Sequence, residues 1–106
     1  MSKEEILAAD NATLNILTAN KLGLDYFQDG EMRIIRQLEN GGATFWNPAE
    51  VIKDAFEVLD SFKRYEHIGN ESGHVIMVRS NEQTHYHKDK SFCKTVCVAA
   101  LLAVMS

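Results

Sequence analysis

The pattern of apolar and polar positions along the chain predicts three main helices separated by short strands. Ser2 and Glu5 form the Ser-x-x-Glu pattern that opens a first helix. Asp10 competes with that helix through local hydrogen bonds, or it caps a second helical stretch. Gly23 is typical of a helix end, so we expect the helical region to stop there, and residues 24–28 have strand character.

Turn residues predict a hairpin after this helical region. Asp29–Gly30 is a strong hairpin turn signal between two strand-like segments. Residues 31–38 form the predicted return strand, and the same pattern leaves helix open as an alternative for residues 31–39. The segment Asn40–Gly41–Gly42 then breaks the chain again.

The clearest helix start in the sequence is Asn47–Pro48–Ala49–Glu50. Asparagine suits the cap position and proline the first helical position, so we predict a helix from here to about Phe62. We expect Trp46, the residue before the cap, to pack back onto the first turns. The apolar face of this helix consists of Val51, Ile52, Ala55, Phe56, Leu59 and Phe62.

The C-terminal half predicts three short strands followed by a last helix. Either Asp89 or Ser91 caps that helix, which extends from Phe92 to Met105. It is apolar nearly all round, so we expect it to be the most buried element. The predicted strands are residues 65–68, 74–79 and 82–87.

The order of these elements favours an α+β fold, in which helices pack on an antiparallel β-sheet as in an αβα sandwich. The length of 106 residues fits a single domain, residues 1–106. Hydrophobic residues make up 45% of the chain and charged residues 25%, which argues against a disordered or collagen-like chain.

The charge distribution bears on partners and location. Residues 1–31 carry the formal net charge of −4, and the remainder is balanced, so a basic footprint for nucleic acid is missing at the level of the whole chain. The N-terminus is acidic where a signal peptide is basic, and the most apolar run, Val96–Met105, is too short for a bilayer. We therefore expect a cytoplasmic protein without membrane association.

The best metal candidate is the group His85, His87, Cys93 and Cys97. Imidazole and thiolate are good zinc ligands. Residues two apart on a strand share a face, as do residues four apart on a helix, so a strand and a helix can present all four together. The alternative is two exposed histidines and two cysteines that pack as small apolar side chains.

Nucleophilic catalysis would require Cys93 or Cys97 beside a histidine. Cys93 lies in the first turn of the last helix, where the helix dipole lowers the pKa of a thiol. No third residue that orients such a pair stands out, and no glycine pattern for phosphate binding occurs. We therefore predict a protein that is not an enzyme and needs no cofactor.

An acidic group, Glu50, Asp54 and Glu57, falls on one stripe of the predicted middle helix. Such a stripe is commonly a solvated face of an amphipathic helix. The alternative is that these acids form a docking face for a basic partner protein. Paired carboxylates also serve as acid and base in catalysis, but the solvated face is the commoner reading.

A basic cluster in the C-terminal half has aromatic residues such as Tyr86 between its members. Basic and aromatic side chains together bind single-stranded nucleic acid in many proteins, although no recognised nucleic-acid motif accompanies them here. The cluster consists of Arg79, Lys88, Lys90 and Lys94.

Three segments together resemble a known group of small phage proteins: Leu17–Leu24, Trp46–Pro48 and Phe92–Val104. The proteins they resemble are those with the phage ABA-sandwich domain and the NinX-type proteins. In these proteins the first segment is similar to an early helix end, the second to a helix start at proline, and the third to a final apolar helix that contains a cysteine. In this chain Val98 replaces the basic residue that follows the cysteine in that last motif. The resemblance implies phage or prophage origin, an αβα sandwich and an accessory role, and it implies no catalytic residues.

These observations favour a small non-catalytic phage accessory protein that binds a host or phage protein through Glu50, Asp54 and Glu57. A narrower hypothesis is inhibition of a host defence protein or of a host nucleic-acid enzyme. The alternative is a metal- or nucleic-acid-binding module that uses residues 79–94. A homodimer formed through an apolar helix or an open sheet edge is a third hypothesis.

Overall fold

The computed structural model describes residues 2–30, 32–80 and 83–105, and this part of the chain forms four helices and two antiparallel three-stranded sheets. The predicted α+β class is confirmed, with two separate sheets in place of one. The helices are α1 (Lys3–Ala8), α2 (Asn11–Leu22), α3 (Ile52–Asp60) and α4 (Phe92–Met105). The strands are β1 (Tyr26–Gln28), β2 (Ile34–Gln37), β3 (Ala43–Trp46), β4 (Arg64–Asn70), β5 (Gly73–Ser80) and β6 (Gln83–Asp89).

The two N-terminal helices begin and end at their capping residues. Ser2 Oγ accepts the Glu5 N–H at 3.2 Å and completes the predicted capping box of α1. Asp10 caps α2 by accepting the Thr13 N–H at 2.8 Å, so this residue separates two helices. Gly23 ends α2 in the left-handed conformation, with φ of 70°.

The first sheet has the order β1–β2–β3. Gln28 pairs with Ile34, so the connection between β1 and β2 is longer than the predicted two-residue turn. The predicted return strand over residues 31–38 is correspondingly shorter, and its first residue, Glu31, lies outside the described residues. The helical alternative for this region is wrong, because β2 pairs with both of its neighbours.

Asp29 organises the loop of this hairpin. Its N–H donates to the Arg33 carbonyl at 3.1 Å, and its Oδ1 accepts the Arg33 N–H at 2.9 Å. Met32 adopts a left-handed φ of 63°, a conformation that residues with a Cβ rarely take. Met32 is therefore a strained residue close to β2.

Strand β3 is not among the predicted strands. It pairs with β2 along its whole length, from Trp46 opposite Ile34 to Ala43 opposite Gln37. Three of its four residues are exposed, so it lacks the apolar alternation that marks a strand in sequence. Trp46, at its end, is buried and belongs to the same core cluster as Ala55 of α3. Its direct packing on the first turns of the following helix stays a prediction.

The predicted start of the middle helix needs correction. The N–H groups of Glu50 and Val51 both donate to the Asn47 carbonyl, so residues 48–50 form a separate turn. Val51 is extended, and α3 begins only at Ile52 and ends at Asp60. The side chain of Asn47 accepts a hydrogen bond from Asn15 and donates one to Glu50, and it does not cap α3.

The second sheet has the order β4–β5–β6 and confirms the three predicted strands with somewhat different bounds. Glu82, the first residue of one predicted strand, lies outside the described residues. His67, Ile76 and His87 are directly opposite one another, so they share one face, here called the inner face. The opposite face, called the outer face, carries Arg64, Glu66, Ile68, Val75, Met77, Arg79, Thr84, Tyr86 and Lys88.

Helix α4 has the predicted bounds and lies at the centre of the fold. It packs against β5 and β6 on one side and against α1, α2 and α3 on its other sides. Val96 and Ala99 belong to one buried cluster, whereas Cys97 and Leu101 belong to a second one. This central position explains why the helix is apolar nearly all round.

Candidate functional site

The three acids predicted to form a docking stripe all have partners within the fold. Glu50 precedes α3, and its carboxylate accepts hydrogen bonds from the side-chain amides of Asn11, at 3.0 Å, and Asn47, at 3.3 Å. Asp54 accepts the Asn47 N–H at 2.9 Å. Glu57 forms an ion pair with Arg36 of β2.

These contacts correct the placement of the acidic stripe, because only Asp54 and Glu57 lie on α3. Each carboxylate connects segments that are distant in sequence or adjacent in a turn, so a structural role accounts for the type of residue at all three positions. Partner binding through Glu50, Asp54 and Glu57 stays a prediction.

The proposed metal ligands do not come together as a site. Within the described ranges, no group of three or more His, Cys, Asp or Glu side chains is placed to hold a metal ion. His85 and His87 are on the inner face of β6, where they line an open groove. Cys93 and Cys97 are free and buried, which agrees with the alternative that they pack as small apolar side chains.

Burial also shapes the chemistry of the two thiols. It raises the pKa of Cys97 to about 12. Burial, followed by the nearby Asp54 carboxylate, raises the pKa of Cys93. Both shifts favour the neutral thiol over the thiolate that nucleophilic catalysis uses. The helix-dipole effect expected at Cys93 is thus outweighed by desolvation.

The basic cluster is divided by the fold. Arg79 and Lys88 are on the outer face of the second sheet, two rows apart along the strands. Lys90 follows β6, and Lys94 lies in the first turn of α4, where its N–H donates to Ser91 Oγ at 3.2 Å. This bond confirms Ser91 as a cap of α4.

The outer face has an apolar centre that no other described element covers. Tyr86 of β6 is 70% exposed and Ile68 of β4 is 59% exposed, and Met77 lies between their strands. Met77 is half-buried, and exposed aromatic and aliphatic side chains around it form a patch of the kind found at interaction surfaces. The alternation within each strand-like segment does not indicate which of its two sides is exposed in the fold.

One end of the outer face carries two opposed positive charges. Arg64 of β4 lies directly opposite Arg79 of β5, and Thr84 follows on β6. Neither arginine forms an ion pair with any described residue, whereas Arg33 and Arg36 of the first sheet each pair with an acid. Like charges directly opposite across strands are destabilising. The arrangement suits a negatively charged partner group.

A depression of about 430 Å³ includes this end of the outer face. Lys63 adds a third positive charge to its rim, and among the described residues Glu66 is the one acid that lines it. The outer face therefore combines an apolar centre with a mainly basic edge.

A second concave feature lies between α2, the first sheet and the turn before α3. It has a volume of about 360 Å³ and is lined by Ala12, Asn15, Met32, Arg33, Ile34, Phe45, Trp46, Asn47 and Glu50. We call it the Trp46 cavity. It collects Glu50, one of the three predicted acids, with Trp46 and Asn47, although no spacing rule in the sequence groups its members.

Two histidines of the second sheet form a hydrogen-bonded pair on its inner face. His67 Nε2 and His74 Nδ1 are 2.9 Å apart, and the stacked rings contact the edge of Phe92. Gly69 lies beneath them, where a Cβ would be 2.9 Å from His74 Nδ1. Burial, followed by the charge of His74, lowers the pKa of His67.

The fold and these surfaces define a small α+β protein, in which α4 packs against the second of two antiparallel sheets and the other face of that sheet is exposed. The chain is similar to the 2.0 Å crystal structure of a phage protein from Bacillus cereus ATCC 14579. The similarity covers 91% of this chain and 93% of that chain, with a TM-score of 0.67 and 16% sequence identity, so it shows a shared fold.

No family model matches the chain, and no curated protein matches it. Membership in the phage ABA-sandwich or NinX-type group therefore stays a prediction. Within the residues described above, no helix has both the length and the apolar character needed to cross a membrane.

Proposed function

We propose that this chain is a non-catalytic phage accessory protein that binds a partner protein through the outer face of its second sheet. The observation that carries the proposal is the exposed apolar centre of that face, with Tyr86 70% and Ile68 59% exposed. A phage context is supported by the sequence resemblance and by the fold shared with a phage protein.

The chemistry of the outer face specifies the partner surface. Tyr86, Met77 and Ile68 provide an apolar contact, while Arg64 and Arg79 provide two positive charges without an internal ion pair among the described residues. A complementary partner presents apolar side chains beside carboxylates. Aromatic and arginine side chains are those that most often dominate binding energy at interfaces.

The test is affinity capture from a bacterial host lysate with three immobilised proteins. They are the wild-type chain, an outer-face variant with Ile68→Thr and Tyr86→Ser, and a control variant with Phe27→Ser. Phe27 is 59% exposed on the first sheet, so the control removes an equally exposed apolar side chain elsewhere. Circular dichroism of all three establishes that they fold equally well.

We expect one protein to be retained by the wild type and by the Phe27→Ser control and lost from the outer-face variant. Loss of a central aromatic anchor costs about 2 kcal/mol or more, which corresponds to at least about 30-fold in affinity. Retention of the same protein by the outer-face variant, or of no protein by the wild type, would overturn the proposal.

The narrower role, inhibition of a host defence protein or of a host nucleic-acid enzyme, is tested on the captured protein. Its activity is measured with increasing amounts of the wild-type chain and of the outer-face variant. We expect the wild type to reduce that activity at stoichiometric amounts and the variant to have no effect. Full activity at saturating wild-type chain would restrict the proposal to binding.

Single-stranded nucleic acid is the second candidate ligand for the same face, because the exposed Tyr86 ring lies close to Arg79 and Lys88. It corresponds to the nucleic-acid-binding module that the sequence offered as an alternative for residues 79–94. Lys90 and Lys94 are not part of the surface proposed here, because they follow β6 and lie on α4. A titration with a labelled oligonucleotide at two salt concentrations separates the two ligands. Tight binding that weakens steeply with salt and is lost on Tyr86→Ser favours nucleic acid over protein.

A further inference from the structure

We infer that the Trp46 cavity is a binding site for a small planar heterocycle whose edge carries adjacent hydrogen-bond donors and acceptors, as nucleobases do. The inference is independent of the outer face, since the cavity is built from α2, the first sheet and the turn at residues 48–50. Its volume of about 360 Å³ falls within the range that small-molecule sites occupy.

The indole of Trp46 provides the first sign of a ligand. Trp46 is 2% exposed, and its Nε1–H is buried without an acceptor among the residues that the structure describes. Buried indole N–H groups normally find a partner, because an unsatisfied buried donor costs about 1–3 kcal/mol. Trp46 lines the cavity, and its buried Nε1–H reaches an acceptor there once the indole shifts slightly.

The polar side chains around Trp46 have unused hydrogen-bonding capacity of both kinds. Asn15 and Asn47 each use one N–H of their side-chain amide, to Asn47 Oδ1 and to Glu50 Oε2. Each amide carries two such N–H groups, so one on each has no partner among the hydrogen bonds of the described residues. The Glu50 carboxylate accepts two hydrogen bonds and has acceptor capacity for about two more.

The cavity thus offers donors from Trp46 and the two asparagines next to an acceptor, Glu50. A ligand that satisfies them presents an acceptor beside a donor on one edge. Carbonyl or ring nitrogen atoms next to an amino or ring N–H group have this arrangement. A simple alkyl or aryl compound lacks it and leaves the Trp46 donor unpaired.

The walls of the cavity favour a flat, apolar ligand body. Phe45 and Met32 are exposed at the cavity, and Ile34 is buried beside them. The guanidinium of Arg33 lies over the Phe45 ring, 4.7 Å from its centre, which holds that ring in place. Met32 maintains a left-handed backbone at this position, a type of strain that clusters at ligand-binding sites.

The chain contains a single tryptophan, so its indole is a specific reporter of the cavity. The experiment is a titration of the ¹⁵N-labelled full chain with adenine, followed by the indole Nε1–H resonance of Trp46. Toluene is the comparison probe, because it is planar and has no hydrogen-bonding edge. The intrinsic fluorescence of Trp46 gives an independent readout with the same two probes.

We expect adenine to shift the indole resonance in a saturable manner and toluene to leave it nearly unchanged. Two variants extend the test: Glu50→Gln removes the charged acceptor, and Ala12→Leu fills the cavity from α2. We expect Glu50→Gln to weaken adenine binding about tenfold or more, as loss of a charged hydrogen bond does. Ala12→Leu is expected to abolish binding.

The matched control is Glu71→Gln, which removes an exposed acid in the turn between β4 and β5. We expect this variant to bind adenine with the affinity of the wild type. Well-dispersed amide spectra of all variants establish that they fold. No adenine shift in the wild type overturns the inference. It is equally overturned by a toluene shift of the same size, or by unchanged adenine binding in the folded Ala12→Leu variant.

Discussion

At the scale of single residues, the histidine pair of the second sheet shows how local contacts create a pH-dependent property. His67 and His74 share one hydrogen bond of 2.9 Å, which requires a neutral nitrogen as its acceptor. His87 and Asp89 belong to the same face, with His87 Nε2 3.6 Å from Asp89 Oδ2. Phe92 covers the pair from α4.

The lowered pKa of His67 predicts a loss of stability in acid. Its value in the folded chain lies below the ordinary value of 6.5, so the unfolded chain binds more protons as the pH falls through that range. The stabilising contribution is therefore fully present above pH 6.5 and is lost as the pH falls towards the folded pKa. Urea unfolding at a series of pH values measures this decline.

His67→Gln tests the assignment, because glutamine keeps hydrogen-bonding capacity and does not titrate in this range. We expect the variant to lose part of the pH dependence between neutral and mildly acidic conditions. Glu71→Gln, at an exposed acid in the turn between β4 and β5, is the control. An equal loss of pH dependence in both variants would contradict the assignment to the pair.

At the scale of elements, the turn before α3 shows why sequence patterns located its helix only approximately. Asn47 and Pro48 form a typical helix start, yet Asp54 accepts the Asn47 N–H and Glu50 takes the Asn47 side chain. These contacts come from residues three and seven positions further along the chain. They hold a separate turn and move the start of α3 to Ile52.

Asp54→Ala is expected to destabilise the chain by removing the acceptor of the Asn47 N–H, which is partly buried. Such a loss costs about 1 kcal/mol and lowers Tm by about 4–8 °C for a chain of this size. Differential scanning calorimetry measures the change. Exposed Asp60→Ala, at the last residue of α3, serves as the control and leaves Tm nearly unchanged. Equal Tm values for the two variants would show that the Asp54 contact is not stabilising.

The elements that were predicted from sequence are those with strong local signals. Helix α4 has its predicted bounds because its apolar run starts after a capping serine, Ser91. Strand β3 could not be predicted, since three of its four residues are exposed and its pairing with β2 alone defines it. The division into two sheets also depends on long-range pairing, which alternation within a strand does not encode.

The candidate sites were less predictable than the elements. Arg79, Lys88 and Tyr86 are recognisable in sequence as a basic and aromatic group, but Arg64 joins Arg79 only through the β4–β5 register. The Trp46 cavity combines residues from α2, β2 and β3, so no local spacing identifies it. The acids of the predicted stripe have the expected charge but face internal partners.

At the scale of the whole molecule, α4 holds the fold together, because it contacts the second sheet and three helices. Leu101→Ala removes a side chain that is 2% exposed and is expected to cost about 2–5 kcal/mol of unfolding free energy. Leu7→Ala changes an exposed leucine of α1 and is expected to cost less than about 0.5 kcal/mol. Chemical denaturation of both variants measures the contrast, and similar losses would contradict a central role for α4.

Phe92 of α4 contacts the inner-face histidines of the second sheet, and no described element covers the apolar centre of the outer face. The proposal therefore assigns stability and partner binding to opposite faces of one sheet. Substitutions on the outer face, such as Tyr86→Ser, are expected to alter binding with little effect on Tm. The edge strand β4 is exposed along its whole length, so self-association through that edge remains a prediction.

The most direct measurement is the Kd of the captured partner for three proteins by biolayer interferometry. They are the wild type, the outer-face variant with Ile68→Thr and Tyr86→Ser, and an acidic-site variant with Glu50→Gln, Asp54→Asn and Glu57→Gln. We predict that the outer-face variant loses at least about 30-fold in affinity, whereas the folded acidic-site variant binds like the wild type. Unchanged binding by the outer-face variant together with loss in the acidic-site variant would contradict the outer face as the binding surface.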